Sequence, residues 1–260
     1  MPAGYTHYVF GEQVLDQLDE SIKKRIMPYI DLYHIGIHGP DILFYYDVYK
    51  KNPVKSLGFG MHQLPANSFF KHAKELIKQD ATDATLAYTI GFITHFTLDS
   101  SLHPEIGVLE NTLSMTHSLL ESELDRELLV RGGKDPLTAN LTTHIHPDYT
   151  NAQVIAPFFD LKAEEVDKAL HDLLFILKWL VAPTKLKRSF VLSVMKLGGM
   201  YEEYKGLLIN YEKDEHAAND INHLIEMKDE AVPLAVSLIN EYVDHLDDDC
   251  LNERFNRNYE

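Results

Sequence analysis

The chain has 260 residues, with 24 Lys plus Arg against 40 Asp plus Glu, and therefore a formal net charge of −16 with His neutral. Hydrophobic residues at 45% and charged residues at 25% exclude wholesale disorder, and this length is ample for a buried core. A single cysteine, Cys250, excludes an intramolecular disulfide framework, and the negative charge disfavours nonspecific binding to nucleic acid.

Apolar residues recur at three- and four-residue spacing along most of the chain, which predicts helices. The N-terminal part is predicted to form helices over residues 13–32, 66–78, 84–102 and 107–130. The last of these is expected to end at the pair Gly132 and Gly133, because glycine commonly terminates helices.

A polar, proline-containing stretch over residues 134–148 is the best candidate for a boundary between two parts of the chain. Beyond it, helices are predicted over residues 161–182, 186–200, 201–211 and 229–246, and the polar residues after them are expected to fray. No sustained alternation of apolar and polar residues indicates strands. We therefore predict an all-α, single-domain multi-helix bundle over residues 1–260, with a metal-site half (1–133) and a supporting helical half (149–250).

The first residues of the chain carry neither a basic segment nor an apolar segment of the kind found in signal peptides. The most apolar stretch, residues 173–181, is too short to span a bilayer and contains Lys178. A cytoplasmic protein without a transmembrane segment is therefore expected. No exposed tryptophan or basic–apolar amphipathic stretch is expected to form a membrane-docking surface.

Histidines and carboxylates are concentrated on two of the predicted helices. His95, Asp99 and His103 are spaced i, i+4, i+8 and share one helix face, and His117 and Glu121 form a second i, i+4 pair. Their apolar neighbours indicate that these groups face inward, where unpaired imidazoles and carboxylates are costly. Bound cations explain the joint pattern best, so the sequence predicts a metal site.

Three more residues complete the candidate set. His7 lies close to the chain start, His62 lies in the segment GFGMHQ, and Asp41 follows the turn at Gly39 and Pro40. Taken alone, Asp41 could equally be the N-cap of a short helix, since Asp is a preferred residue at that position.

The segments THYVFGE, GPDILFYY, GMH, THFTLDSSLHP and THSLLESELD resemble, in this order, the motifs of the bacterial zinc-dependent phospholipase C family. A more distant resemblance is to the secreted single-strand-specific zinc nucleases. The resemblance covers residues 6 to about 125 and implies an all-α bundle of the phospholipase C type, here with a helical C-terminal extension. It also implies a site for three zinc ions.

The resemblance implies two sets of three ligands. They are His62, His95 and Asp99 for the first zinc, and His103, His117 and Glu121 for the second zinc.

For the third zinc, the resemblance implies His7, with Asp99 bridging to the first zinc. Asp41 would be the catalytic carboxylate beside the bridging water, and so part of the metal site. In the family, a processed N-terminal Trp supplies its amino group and carbonyl to the third zinc, whereas no Trp lies near the start of this sequence. We therefore expect two or three zinc ions.

The motif order leads to the hypothesis of a zinc-dependent, phospholipase C-like hydrolase of phosphate esters. In it, a metal-bridging hydroxide attacks phosphorus in line and Asp41 accepts a proton. The expected substrate is a small anionic phosphoester or a phospholipid headgroup. Nucleic acid is not favoured, because no basic stripe is interleaved with aromatic residues. The alternative is a non-catalytic helical protein that retains the metal site for stability or binding.

The remaining histidines are given structural or surface roles. His34 and His38 flank the Asp41 turn and are expected at the surface, with a supporting place around the metal site as the alternative. His144 lies in the segment THIHPDY and is assigned no role. The adjacent pair His171 and Asp172 could suggest another class of phosphohydrolase, but its acidic surroundings favour a solvated helix face.

Overall fold

The computed structural model describes residues 4–199 and 201–259, apart from the side chain of Glu203. Helices α1 to α12 cover, in order, Gly4–Gln17, Glu20–Ile26, Ile30–Gly36, Pro53–His62, Asn67–Gln79, Ala84–Leu113, His117–Arg131, Tyr149–Ile155, Ala163–Leu180, Lys185–Leu197, Tyr201–Tyr204 and Ala218–Asp244. Short 3-10 helices cover Met27–Tyr29, Gly39–Tyr45, Ala156–Phe159, Lys205–Leu207 and Glu253–Asn256. The described residues contain no strand, which confirms the all-α prediction.

Helix α6 lies at the centre of the fold and is buried along most of its length. It packs most extensively against α3 and α12, and it also contacts α1, α5 and α7. The crossing with α3 is close enough to require glycine, because a Cβ at Gly91 would lie 2.3 Å from the Tyr33 carbonyl oxygen. The helix that carries three candidate ligands is therefore held from several sides.

The predicted end of this helix at residue 102 is wrong, because α6 continues through Pro104 to Leu113. Proline has no N–H, so the carbonyl of Ser100 loses its helical donor. The Arg254 guanidinium replaces that donor, with Nη2 3.1 Å from the Ser100 oxygen. A new helix, α7, begins only at His117, so the single helix predicted over residues 107–130 is divided between α6 and α7.

The predicted helix over residues 13–32 is also wrong in its bounds. The structure has α1, α2 and α3 in this region, with a 3-10 turn at Met27–Tyr29 that contains Pro28. Helix α1 begins at Gly4, before the predicted start at residue 13, and His7 therefore lies on a helix. In the C-terminal part, the predicted helix over 201–211 is only one α-turn followed by a 3-10 turn, and the end predicted at Met200 lies outside the described residues.

The final described residues are packed, which contradicts the expectation that they fray. Phe255 and Tyr259 are each 1% exposed. The Phe255 ring lies 4.4 Å from that of Phe70 between ring centres, and the Tyr259 N–H donates to the carbonyl of His62 at 3.3 Å. Phe255 and Tyr259 therefore anchor this segment to the core beside α4, α5 and α6.

The apolar core takes residues from both halves of the chain, with α12 lying against α6, α1 and α7. The division into one domain with two halves stays a prediction. Among the described residues, no helix is both long enough and apolar enough to cross a bilayer. The cytoplasmic location also stays a prediction.

One face of α9 and α10 leaves large apolar side chains at the surface, contrary to the expectation of no exposed tryptophan. Trp179 is 41% exposed and lies between Phe175 and Phe190, with ring centres 6.1 and 5.9 Å away. Leu186 and Leu197 on α10 are 83% and 90% exposed.

Candidate metal centre

Five structural elements bring the eight candidate ligands together. His7 comes from α1, Asp41 from the 3-10 helix Gly39–Tyr45, and His62 from the last position of α4. Helix α6 supplies three more residues and α7 the last two; they are His95, Asp99, His103, His117 and Glu121. All except His117 are buried.

Asp99 lies at the centre of this cluster. Its Oδ1 atom is 3.2 Å from His7 Nε2 and 3.7 Å from His103 Nε2, and its Oδ2 atom is 3.1 Å from His95 Nε2 and 3.7 Å from His62 Nε2. One carboxylate therefore contacts four imidazoles. No other candidate ligand approaches as many partners among the described residues.

The ligand atoms lie close enough for metal binding in three groups: His7, His95 and Asp99; Asp41, His62 and His95; and His103, His117 and Glu121. Asp41 Oδ1 lies 3.0 Å from His62 Nε2. In the third group, Glu121 Oε1 lies 3.3 Å from His117 Nε2 and 3.7 Å from His103 Nε2. Because His103 approaches both Asp99 and Glu121, the groups form one continuous cluster.

The cluster combines three buried carboxylates with five imidazoles, and their charges shift one another's pKa values. Burial alone would raise the pKa of Asp99, but the surrounding imidazoles hold it well below its ordinary value. Burial would likewise lower the pKa of His103, but the charges of Asp99 and Glu121 raise it to about 9. The raised pKa of His103 means that its carboxylate neighbours favour positive charge there, which a metal cation would supply, and the lowered pKa of Asp99 keeps that carboxylate ionised and able to bind a cation.

The hydrogen bonds that the candidate ligand atoms make, and those that they lack, also favour a bound cation. Several buried atoms of the cluster make no hydrogen bond of acceptable geometry, although some of them lie only 3.0 to 3.7 Å apart: Asp41 Oδ1, His62 Nε2, His95 Nε2, Asp99 Oδ2 and Glu121 Oε2. Unpaired buried polar atoms are costly, and these are imidazole nitrogens and carboxylate oxygens, the donors that Zn²⁺ binds. The residues present therefore fit zinc.

Two local features hold the ligands in place. The carboxylate of Asp125 accepts the N–H of Thr6 at 2.7 Å and that of Tyr5 at 3.3 Å, so it caps the N-terminus of α1 one residue before His7. At Gly39, φ is +50°, and a Cβ there would lie 2.1 Å from His95 Cδ2. Only glycine lets the Asp41 turn approach His95 so closely.

A model of the zinc-dependent phospholipase C family matches residues 6–173, more than half of the chain. The chain belongs to this family. The match extends about fifty residues beyond the end of the resemblance seen in the motifs, and stops within α9. No curated protein and no solved structure shows a significant match.

In this family member, an open cleft of about 710 Å³ reaches the metal cluster at His62, His103, His117 and Glu121. One wall is aromatic, with the rings of Phe44 and Phe59 stacked at 4.1 Å between ring centres. The sequence does not identify these wall residues, because aromatic side chains at helical spacing are also typical of a hydrophobic core.

Sequence reasoning also missed the contribution of Tyr259 to this phospholipase C-like site. Its ring centre lies 5.2 Å from that of His62 and 5.9 Å from that of His95. No local pattern could have found this residue, because it is separated from both histidines by more than 150 positions.

A second histidine pair lies outside the ligand groups and corrects the expectation for His38. His38 and His144 are both 5% exposed, with their Nε2 atoms 2.8 Å apart. His144 also stacks on Tyr8 at 4.2 Å between ring centres. His38 is therefore not at the surface, and His144, to which the sequence assigned no role, is buried beside it.

This pair predicts a loss of stability in mild acid. Burial lowers the pKa of His144 to about 3, below its unfolded value of about 6.5. The unfolded chain therefore binds the extra proton first, and stability falls as the pH falls below 6.5. Between pH 6.5 and 5, the free energy of unfolding should fall by about 2 kcal/mol more in the wild type than in His144→Gln.

The measurement is urea unfolding of metal-free protein at several pH values. His146→Gln is the matched control, because the His146 side chain is 63% exposed. Identical pH dependence for wild type and His144→Gln would contradict the prediction.

Proposed function

We propose that this protein is a zinc-dependent, phospholipase C-like hydrolase of phosphate esters. The observation that carries the proposal is the cluster of buried, unpaired imidazole and carboxylate atoms that opens onto a cleft. Family membership supports the same reaction class. The substrate that we infer is a phosphoester with a small headgroup, including that of a phospholipid.

The ligand assignment that we propose has three parts. His62, His95 and Asp99 would hold one zinc, and His7 together with Asp99 would hold another. The set on the cleft side is His103, His117 and Glu121. Bound zinc supplies Lewis acidity and lowers the pKa of coordinated water, so that a nucleophile exists at neutral pH.

The protein's own groups orient the reaction. The Asp41 carboxylate, buried 3.0 Å from His62 Nε2, accepts the proton of the attacking water. Its lowered pKa keeps it ionised and able to do so at neutral pH: burial opposes ionisation, but the neighbouring imidazoles of His62 and His95 favour it. The apolar wall formed by Phe44 and Phe59 excludes water from one side of the cleft.

The experiment is hydrolysis of p-nitrophenyl phosphorylcholine and bis-p-nitrophenyl phosphate by zinc-loaded protein. Asp41→Asn should lower kcat on the order of a hundredfold or more, because a proton acceptor is lost. Asp31→Asn is the matched control, since Asp31 lies on α3 and pairs only with the exposed His146 among the described residues. Zinc content is measured for every variant.

The second candidate is a non-catalytic metal-binding protein, and it predicts a different result. Fully zinc-loaded wild type would then hydrolyse neither ester nor short oligonucleotides, while chelation would still lower the melting temperature. Turnover that is abolished by Asp41→Asn at unchanged zinc content would exclude this candidate.

A further inference from the structure

Helix α10 has an apolar stripe on its outer side as well as on its inner side. Val191 and Met195 face inward and form a small core with Ala182 and Leu208. The outer stripe runs at steps of four, four and three residues and consists of Leu186, Phe190, Val194 and Leu197. All four outer side chains are about half exposed or more, so nothing in the described chain covers them.

The same surface continues onto α9 through aromatic contacts. Phe175 and Trp179 lie on one side of α9, and Phe190 of α10 completes the row. We call the six side chains of these two helices the α9–α10 face: Phe175, Trp179, Leu186, Phe190, Val194 and Leu197.

The charge of this segment is opposite to that of the rest of the chain. Residues 173–201 contain five cations and no acidic residue: Lys178, Lys185, Lys187, Arg188 and Lys196. The segment therefore carries +5, and the remainder carries −16 minus 5, which is −21. A positive field at this one surface attracts anions to a molecule that repels them elsewhere.

An open groove of about 370 Å³ lies along the adjoining side of α10. Lys185, Arg188 and Lys196 line it, together with Ser189 and Ser193, and the Arg188 guanidinium also donates to the carbonyls of Leu208 and Ile209. Three cationic side chains around one depression match the charge of a phosphate group. The groove lies directly beside the apolar stripe of the same helix.

We propose that the α9–α10 face docks the protein onto an anionic phospholipid bilayer. The exposed apolar side chains enter the interfacial layer, and the cations contact lipid phosphates, as in amphipathic interfacial helices. Trp179 lies where tryptophan is favoured, at the boundary between apolar and polar layers. Docking goes beyond the proposed hydrolysis and does not depend on it.

The position of this face relative to the cleft supports the same inference. The inner side of α10 packs against Tyr201 and Tyr204, and Tyr204 also lines the cleft, with Glu202 and Leu207. Helix α10, whose outer side belongs to this face, therefore adjoins residues that line the cleft. A second copy of the chain is a poorer occupant, because two faces of charge +5 would repel each other.

The test uses Trp179, the single tryptophan of the chain, as its probe. Full-length zinc-loaded protein is titrated with phosphatidylcholine vesicles and with vesicles containing about 30% phosphatidylglycerol, and binding is confirmed by flotation. We expect the Trp179 emission to move to shorter wavelength with the anionic vesicles only, and high salt to weaken the binding.

Two pairs of substitutions separate the apolar and ionic contributions. Lys185→Gln with Lys196→Gln should lower the partition coefficient roughly 25-fold, at about fivefold for each cation. Phe190→Ser with Leu197→Ser should lower it by roughly tenfold or more. The controls are Lys24→Gln with Lys71→Gln, and Met27→Ser with Val108→Ser, which replace exposed residues on other helices.

Helical circular dichroism and zinc content check that each variant folds. Absence of vesicle binding by the wild type would overturn the proposal. Equal binding by the α10 variants and their controls would overturn it as well. A dimer in light scattering that is dissociated by Phe190→Ser, without vesicle binding, would identify the face as an interface between copies instead.

Discussion

Replacing Asp99 by Asn is expected to lower zinc content by at least one ion per chain and to lower hydrolysis on the order of a thousandfold. The reason is that the two Asp99 oxygens lie 3.1 to 3.7 Å from the Nε2 atoms of four histidines. Asn retains the shape but loses the negative charge and one acceptor oxygen. Elemental analysis and steady-state kinetics with p-nitrophenyl phosphorylcholine measure the two effects.

The matched control is Asp83→Asn. Asp83 lies immediately before α6, pairs with Arg25, and is four helical turns from Asp99. The Asp83→Asn variant should retain the zinc content and turnover of the wild type. Normal zinc content and normal kcat in Asp99→Asn would show that this carboxylate is not the shared ligand that we propose.

Ending the chain after Cys250 is expected to cost about 5 kcal/mol of unfolding free energy and to weaken zinc binding. The missing residues include Phe255 and Tyr259, both almost fully buried, and the Tyr259 ring packs against His62 and His95. The guanidinium of Arg254 is lost as well, which leaves the Ser100 carbonyl beside Pro104 without a donor.

Urea unfolding of the shortened chain and zinc titration provide the measurement. A matched pair of substitutions tests the Arg254 contribution alone. Arg254→Ala should destabilise by about 2 kcal/mol, because it leaves a polar group unpaired, whereas Arg257→Ala should change little because Arg257 is exposed. Unchanged stability of the shortened chain would mean that these residues only cover the surface.

The residues of α6 and α7 could be predicted as a metal-binding group because the information is local. His95, Asp99 and His103 recur at four-residue steps, and a helix turns by 100° per residue, so the three must share a face. The same reasoning placed His117 and Glu121 together. Adding His7, Asp41 and His62 needed the motif order, because no periodicity relates residues on separate helices.

The errors arose where a local signal was overridden by a distant partner. Pro104 normally ends a helix, but Arg254, 150 positions later, takes over the lost hydrogen bond. The tail after residue 246 is polar in composition, yet two aromatic residues within it reach the core. The composition of a segment describes all of its residues together, so it cannot show that two single residues within it are buried.

By itself, the sequence determined the helical class, the acidic charge, the residue types of the candidate site and the family resemblance, because each depends on residue identity or short spacing. The tertiary structure alone decided which faces are covered. The helix at residues 185–197 is apolar on two sides, and periodicity cannot distinguish a stripe that packs inside from one that meets solvent. That distinction depends on which other helices lie nearby, and it leaves Trp179 and Phe190 exposed while it buries His38 and Tyr259.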